Sequence, residues 1–293
     1  MRAIAAFIAL VAGALGLVAL ATPVVWSGLS MVMQVPFHRV GNRIAMLGLA
    51  IGLYVVARAL HVNNRRDMGY GVPRAQFLRE LGRGLLLGIA FMLPLAVLLV
   101  ATGLRQLSVT PTVALLAGSA VSALGSGLVV AFIEESFMRG AMQSAITREA
   151  GLGAALLCTA SLYAAVHFFA RFTIAPEAVG PGSGLDLVAG SLQAFANPLH
   201  IADAFLCLAG VGLLLSLVRQ RTGHIGACIG LHAGWVMVML VLRRITEVVP
   251  DAPGSWLLSQ HDGFVGWLVL GWTVLVAPVL LRAWPAHAAD STT

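Results

Sequence analysis

The chain is short of charge. Asp, Glu, Lys and Arg make up only 10% of its 293 residues, against about 25% in a soluble globular domain. That shortage excludes a soluble domain, and a hydrophobic share of 59% excludes disorder. Lysine is absent altogether: all 18 basic residues are Arg. They form no concentrated basic face, so nucleic acid is not an expected partner, and the net charge of +6 bears on membrane orientation instead. Cysteine is scarce too. Cys158, Cys207 and Cys228 lie in apolar stretches without a CxxC, which leaves no zinc ribbon or redox pair and reads as small core residues. HExxH is missing, and with it the common helix-borne zinc motif.

What the chain has is long apolar runs. About 20 such residues cross a bilayer as a helix, and on that length about eight spans are expected. They run from Ala3 to Trp26, Ile44 to Leu60, Leu85 to Leu104, Thr112 through the acids Glu134 and Glu135, Leu152 to Phe169, onward from Ile201, onward from Ile225, and from Phe264 to Leu281. These runs are too long for the ten-residue alternating strands of a membrane barrel. The expected fold is an all-α polytopic transmembrane bundle forming one structural domain. Residues 1–110 supply three N-terminal spans, 111–245 the polar-residue-bearing core, and 246–293 the last span and tail. The first run has a rival reading as a signal peptide, with Ala19-Leu20-Ala21 resembling a cleavage site. It exceeds a signal's apolar region of roughly 7–15 residues and continues to Trp26, so a retained helix is expected.

Arginine placement sets the expected orientation. Arg65, Arg66, Arg74, Arg79 and Arg83 crowd the second-to-third connection against Asp67 and Glu80. Cytoplasmic placement of that loop puts both termini, Arg219 and Arg221 in the cytoplasm, and Arg243 and Arg244 outside. A bacterial inner membrane is the expected location. The connection from Arg171 to Leu199, rich in Gly and Pro near Pro176 to Gly184, reads either as the cover of a cavity or as a slack linker.

Ionisable residues inside spans are expensive and therefore mark function. Glu134, Glu135 and Arg139 share the fourth run, His167 lies in the fifth and His232 in the seventh. Glu135 and Arg139 have the favourable acid-first i, i+4 spacing of an ion pair. Adjacent helical residues point about 100° apart, so Glu134 faces elsewhere and remains the carboxylate available for general-base chemistry. Small residues flank both histidines, Ala164 and Ala165 before one, Gly230, Ala233 and Gly234 around the other, which permits close helix approach. A Glu–His–His junction can activate water for attack on a peptide bond, or bind zinc with an open water position. As drawn from the span limits, His232 sits about 12 Å into its helix, and His167 nearer the far end of its own, so the boundaries must shift for the two to meet.

These residues carry a resemblance. Glu134-Glu-Ser-Phe-Met-Arg139 resembles the EExxxR motif of the CPBP family, the CAAX-processing and Abi-like proteases. Tyr163-Ala-Ala-Val-His167 resembles the family's FxxxH with Tyr for Phe, and His232-Ala-Gly-Trp-Val236 resembles HxxxN/D with Val in the last place. The resemblance covers roughly Leu115 to Leu240. It implies an intramembrane endopeptidase with Glu134, His167 and His232 as catalytic residues, supported by Glu135 and Arg139. A membrane-anchored protein or a lipidated or sorting-signal peptide is the implied substrate. It leaves two mechanisms open: a glutamic one with no cofactor, or a zinc site on the same three side chains. In the glutamic mechanism the family's Asn donates a hydrogen bond to the oxyanion, which Val236 cannot do. Asn197 is a candidate replacement donor, beside a possible His200–Asp203 pair or helix cap. The alternative implied by Val236 is a non-catalytic relative acting in peptide binding, immunity or scaffolding. A proton-coupled transporter using the same residues as a relay lacks the paired half-helices such proteins use.

Overall fold

The structure is a computed structural model, and it describes residues 2–168 and 172–284. Phe169 and Arg171, which bound expected segments, lie outside the described residues. Nine α-helices are described: α1 (Arg2–Ser30), α2 (Phe37–Ala59), α3 (Arg74–Ala101), α4 (Val113–Glu135), α5 (Gln143–Val166), α6 (Ser183–Leu192), α7 (Ala202–Thr222), α8 (Gly226–Ile245) and α9 (Trp267–Ala283). A π-helical segment, Ser136–Met142, joins α4 to α5 without a break. Two three-residue strands, β1 (Arg105–Leu107) and β2 (Thr246–Val248), pair antiparallel.

Six helical stretches have the length and hydropathy to cross a membrane. One of them runs from Val113 to Val166 and breaks at Gly151, whose φ of 85° and ψ of 167° are non-helical. A residue with a Cβ resists that conformation. The stretch therefore supplies both the fourth and the fifth expected spans, and the shorter α9 supplies the eighth. Thr112 starts α4 by accepting the Leu115 N–H at 3.2 Å, as an N-cap should. The bundle is the all-α polytopic fold that the apolar runs lead one to expect.

Two expected boundaries move. Helix α3 begins at Arg74, well before the expected start at Leu85. The long connection before α7 contains α6, whose Leu187 is buried with Val18 and Phe37. Its position against α1 and α2 makes it part of the packed bundle.

Helices α3 and α8 pack closest. Gly84 and Gly88 on α3 face Gly230 and Gly234 on α8. A Cβ at Gly234 would lie 2.7 Å from the Leu85 carbonyl oxygen, and one at Gly88 would lie 2.5 Å from that of Leu231. Small residues at such crossings let backbones meet where lipid supplies no hydrophobic drive between helices.

The loops sort the arginines. At one end the Gly69 carbonyl accepts the Ile225 N–H at 3.0 Å, and Arg148 pairs with Asp67 at 3.5 Å. The backbone N–H of Ala3 reaches Glu149 at 2.6 Å, and the Trp284 indole donates to Glu80 at 2.8 Å. The start of α1 and the end of α9 thus share the end that holds the Arg-rich loop. At the opposite end Arg105 is buried and ties β1 to β2 through the Thr246 hydroxyl at 2.8 Å and carbonyl at 3.0 Å.

Gly234→Ala should lower the thermal stability of the purified protein by roughly 1–3 kcal/mol, the usual cost of overpacking. Gly82, with open space where a Cβ would go, is the control. Equal melting of Gly234→Ala and Gly82→Ala would refute the close crossing.

Candidate active site

The site is built on the π-helical turn that follows α4. There the wider i→i+5 winding carries Arg139 inward, fully buried with Glu135. Arg139 Nη1 donates to Glu135 Oε1 at 3.1 Å, and Nη2 donates to the Gly212 carbonyl of α7 at 2.8 Å. The guanidinium lies 4.6 Å from the centre of the Tyr163 ring, a cation–π contact. Gly212 allows this approach, because a Cβ there would sit 3.4 Å from Arg139 Nη2 and 3.1 Å from the Ala160 Cα.

His232 of α8 completes the buried cluster. Its Nδ1 lies 2.8 Å from Glu135 Oε1. Donation to that carboxylate leaves Nε2 with the lone pair. Glu134 Oε2 lies 3.9 Å from this Nε2 and has no hydrogen-bond partner. The two acids do not face separate places, as their 100° offset suggests. They reach opposite edges of one imidazole, whose width spans the angle between them.

His167 follows the last residue of α5 and its Nδ1 contacts the Tyr163 carbonyl at 2.6 Å. After the break at Gly151 the helix from 152 to 166 is about 22 Å long. That is shorter than a full span, and it ends inside the bundle. His167 therefore reaches the level of His232, which resolves the mismatch in depth.

Glu134, His167 and His232 line one cavity of about 460 Å³, with Tyr163, Trp235 and Val236. The cavity follows one face of α8 through Met239 to Arg243 and continues to His261 and Asp262. Arg243, which the sequence alone presents as a loop cation, pairs with the Asp262 carboxylate. Its i, i+4, i+7 and i+11 spacing from His232 through Val236 and Met239 was the available signal. Glu134 also borders a second cavity of about 320 Å³, an apolar one among α1, α2 and the π turn that includes Leu15, Met46, Leu49 and Phe137.

Residues 116–238 match the family model of type II CAAX prenyl endopeptidase Rce1-like proteins. Over that stretch the chain is similar to the CAAX-processing endopeptidases. No curated protein and no solved structure matched it. The matched residues contain the three motif-like segments and the whole Glu134–Glu135–Arg139–His167–His232 constellation, so the family match and the buried cluster coincide.

Other expected residues fall elsewhere. Asn197 is exposed and does not line the cavity of Glu134. His200 is exposed, and Asp203 accepts from the Ser259 hydroxyl at 3.2 Å rather than pairing with His200. For zinc, the fit is poor. No group of three or more His, Cys, Asp or Glu side chains among the described residues is arranged to hold a metal, and zinc ligands need metal–ligand distances of about 2.0–2.2 Å.

Removing one partner of a buried ion pair strands the other charge, at roughly 3–5 kcal/mol. Arg139→Ala and Glu135→Gln should therefore lower thermal stability and yield, while Glu134→Gln should melt with wild type. Equal destabilisation by the two Glu variants would sink this division.

Proposed function

We propose that the protein is an intramembrane endopeptidase in which Glu134 activates water. The convergence of Glu134, His167 and His232 on one cavity, within the stretch that matches the endopeptidase family, is the observation that carries the reading. The 3.9 Å between Glu134 Oε2 and His232 Nε2 is too long for a hydrogen bond and suits one bridging water. Glu134 takes one proton of that water, and the remaining O–H donates a hydrogen bond to the His232 Nε2 lone pair and stays on the attacking oxygen. The oxygen attacks the scissile carbonyl carbon, and its C=O electrons move to oxygen. As the C–N bond breaks, the protonated Glu134 returns its proton to the leaving nitrogen. His167, with Nδ1 engaged by the Tyr163 carbonyl, turns its other nitrogen to the same space.

The substrate in this reading is a membrane-tethered protein or lipidated peptide. The apolar cavity beside Glu134 is the support for the lipid: it suits a hydrocarbon chain placed next to the reacting bond. The charge asymmetry favours an Arg-rich end and both termini in the cytoplasm. On that orientation the Arg243–Asp262 end of the main cavity faces the other side.

The test is wild-type protein reconstituted in lipid and offered membrane-tethered peptides, with and without an acyl or prenyl chain. Cleavage lost in Glu134→Gln and kept under a chelator is expected. Cleavage abolished by chelator and restored by zinc would replace the glutamic mechanism. Binding without any turnover would favour the scaffold alternative, which Val236 motivates.

A further inference from the structure

Peptide hydrolysis places a negative charge on the former carbonyl oxygen, and a site without a donor aimed at that oxygen loses about 10²–10³ in rate. The residue one turn beyond His232 is Val236. It lines the cavity and packs toward Gly127, whose Cβ would sit 3.4 Å from it. It has no donor. The two histidines each engage Nδ1, at Glu135 and at the Tyr163 carbonyl, and so present acceptor nitrogens. The Thr273 hydroxyl is spent on the Val269 carbonyl at 2.7 Å. The Trp235 indole N–H is buried and without a hydrogen-bond partner, although Trp235 also lines the cavity.

We infer that the Tyr163 hydroxyl is the oxyanion donor of this site. Tyr163 lines the cavity with Glu134. Its ring centre lies 4.5 Å from that of His167 and 6.1 Å from that of His232. Among the described residues its hydroxyl has no hydrogen-bond partner. The Arg139 guanidinium rests against its ring at 4.6 Å, which fixes the ring and draws electron density from the phenol, making the O–H a better donor. Tyr163 stands where its motif has Phe, and Val236 stands where its motif has Asn or Asp. The extra hydroxyl and the missing amide face the same cavity, so one compensates for the other. During attack the phenol keeps its proton and only shares it with the oxyanion; the proton inventory of the Glu134 step is unchanged.

The inference rests on the endopeptidase reading, and its test separates the two. Tyr163→Phe keeps the ring and its contact with Arg139, so its melting should match wild type. Its kcat should fall about 10²-fold with little change in KM, and adding Val236→Asn should recover much of the loss. A second measurement needs no turnover: binding of a peptide carrying a phosphinate, a tetrahedral anion, in place of the scissile amide, against the same peptide with the amide intact. Wild type should prefer the phosphinate, and Tyr163→Phe should lose that preference. Preference retained in Tyr163→Phe would overturn the inference and leave the protease standing. A loss confined to Trp235→Phe would transfer the role to the indole and overturn it as well. Wild type with no preference at all would overturn the protease reading and the inference with it.

Discussion

The fully buried pair between Glu135 and Arg139 holds this site in place. Two charges in an apolar bundle are tolerable only when each is closely paired and hydrogen-bonded. Here the requirement brings four elements together. The pair itself spans the π turn after α4, the Gly212 carbonyl of α7 takes a second guanidinium bond, the Tyr163 ring of α5 covers the cation, and His232 of α8 donates to the carboxylate. None of these contacts is a surface ion pair that water or salt would weaken. They fix the orientation of His232, so in the proposed reaction its Nε2 edge needs no rearrangement.

The backbone irregularities serve that arrangement. A regular α-helix from 113 to 166 would run straight past the cluster. The π turn changes the winding where Glu135 and Arg139 must both point inward, and π segments recur at functional positions for this reason. The break at Gly151 then folds the chain back and shortens the returning helix, so that His167 stops at the depth of His232. The Gly-lined crossing of α3 and α8 acts from the other side: it presses α8 against a neighbour backbone and limits how far His232 can tilt.

Much of this was legible in the sequence. The apolar runs located the helices, since only a helix or closed barrel can satisfy backbone hydrogen bonds in lipid. The i, i+4 spacing of Glu135 and Arg139 announced their ion pair, and the three motifs picked out Glu134, His167 and His232. The illegible parts have physical causes. No residue pattern distinguishes a π turn from an α turn in Ser136–Met142. Helix α6 hid in a Gly- and Pro-rich connection because its packing against α1 depends on small residues rather than on a long apolar run. Arg243 looked like one more loop cation, because its partner Asp262 is distant in the spans' pattern and is brought to it only by the turn before α9. Asn197 looked plausible as a donor by residue type alone, and chemistry without position proved a poor guide.

The division of labour between adjacent acids follows from these constraints. Glu135 is held through one oxygen, Oε1, by both Arg139 and His232, whereas Glu134 makes no such ion pair with an arginine among the described residues. Glu134 lies instead at the wall between the cavity of the histidines and a more apolar one. That boundary is where a tethered substrate must lie if its hydrocarbon is to stay out of water while its peptide bond meets water. In the proposed reaction, a base placed there lets one carboxylate serve both demands, with the histidines supplying direction.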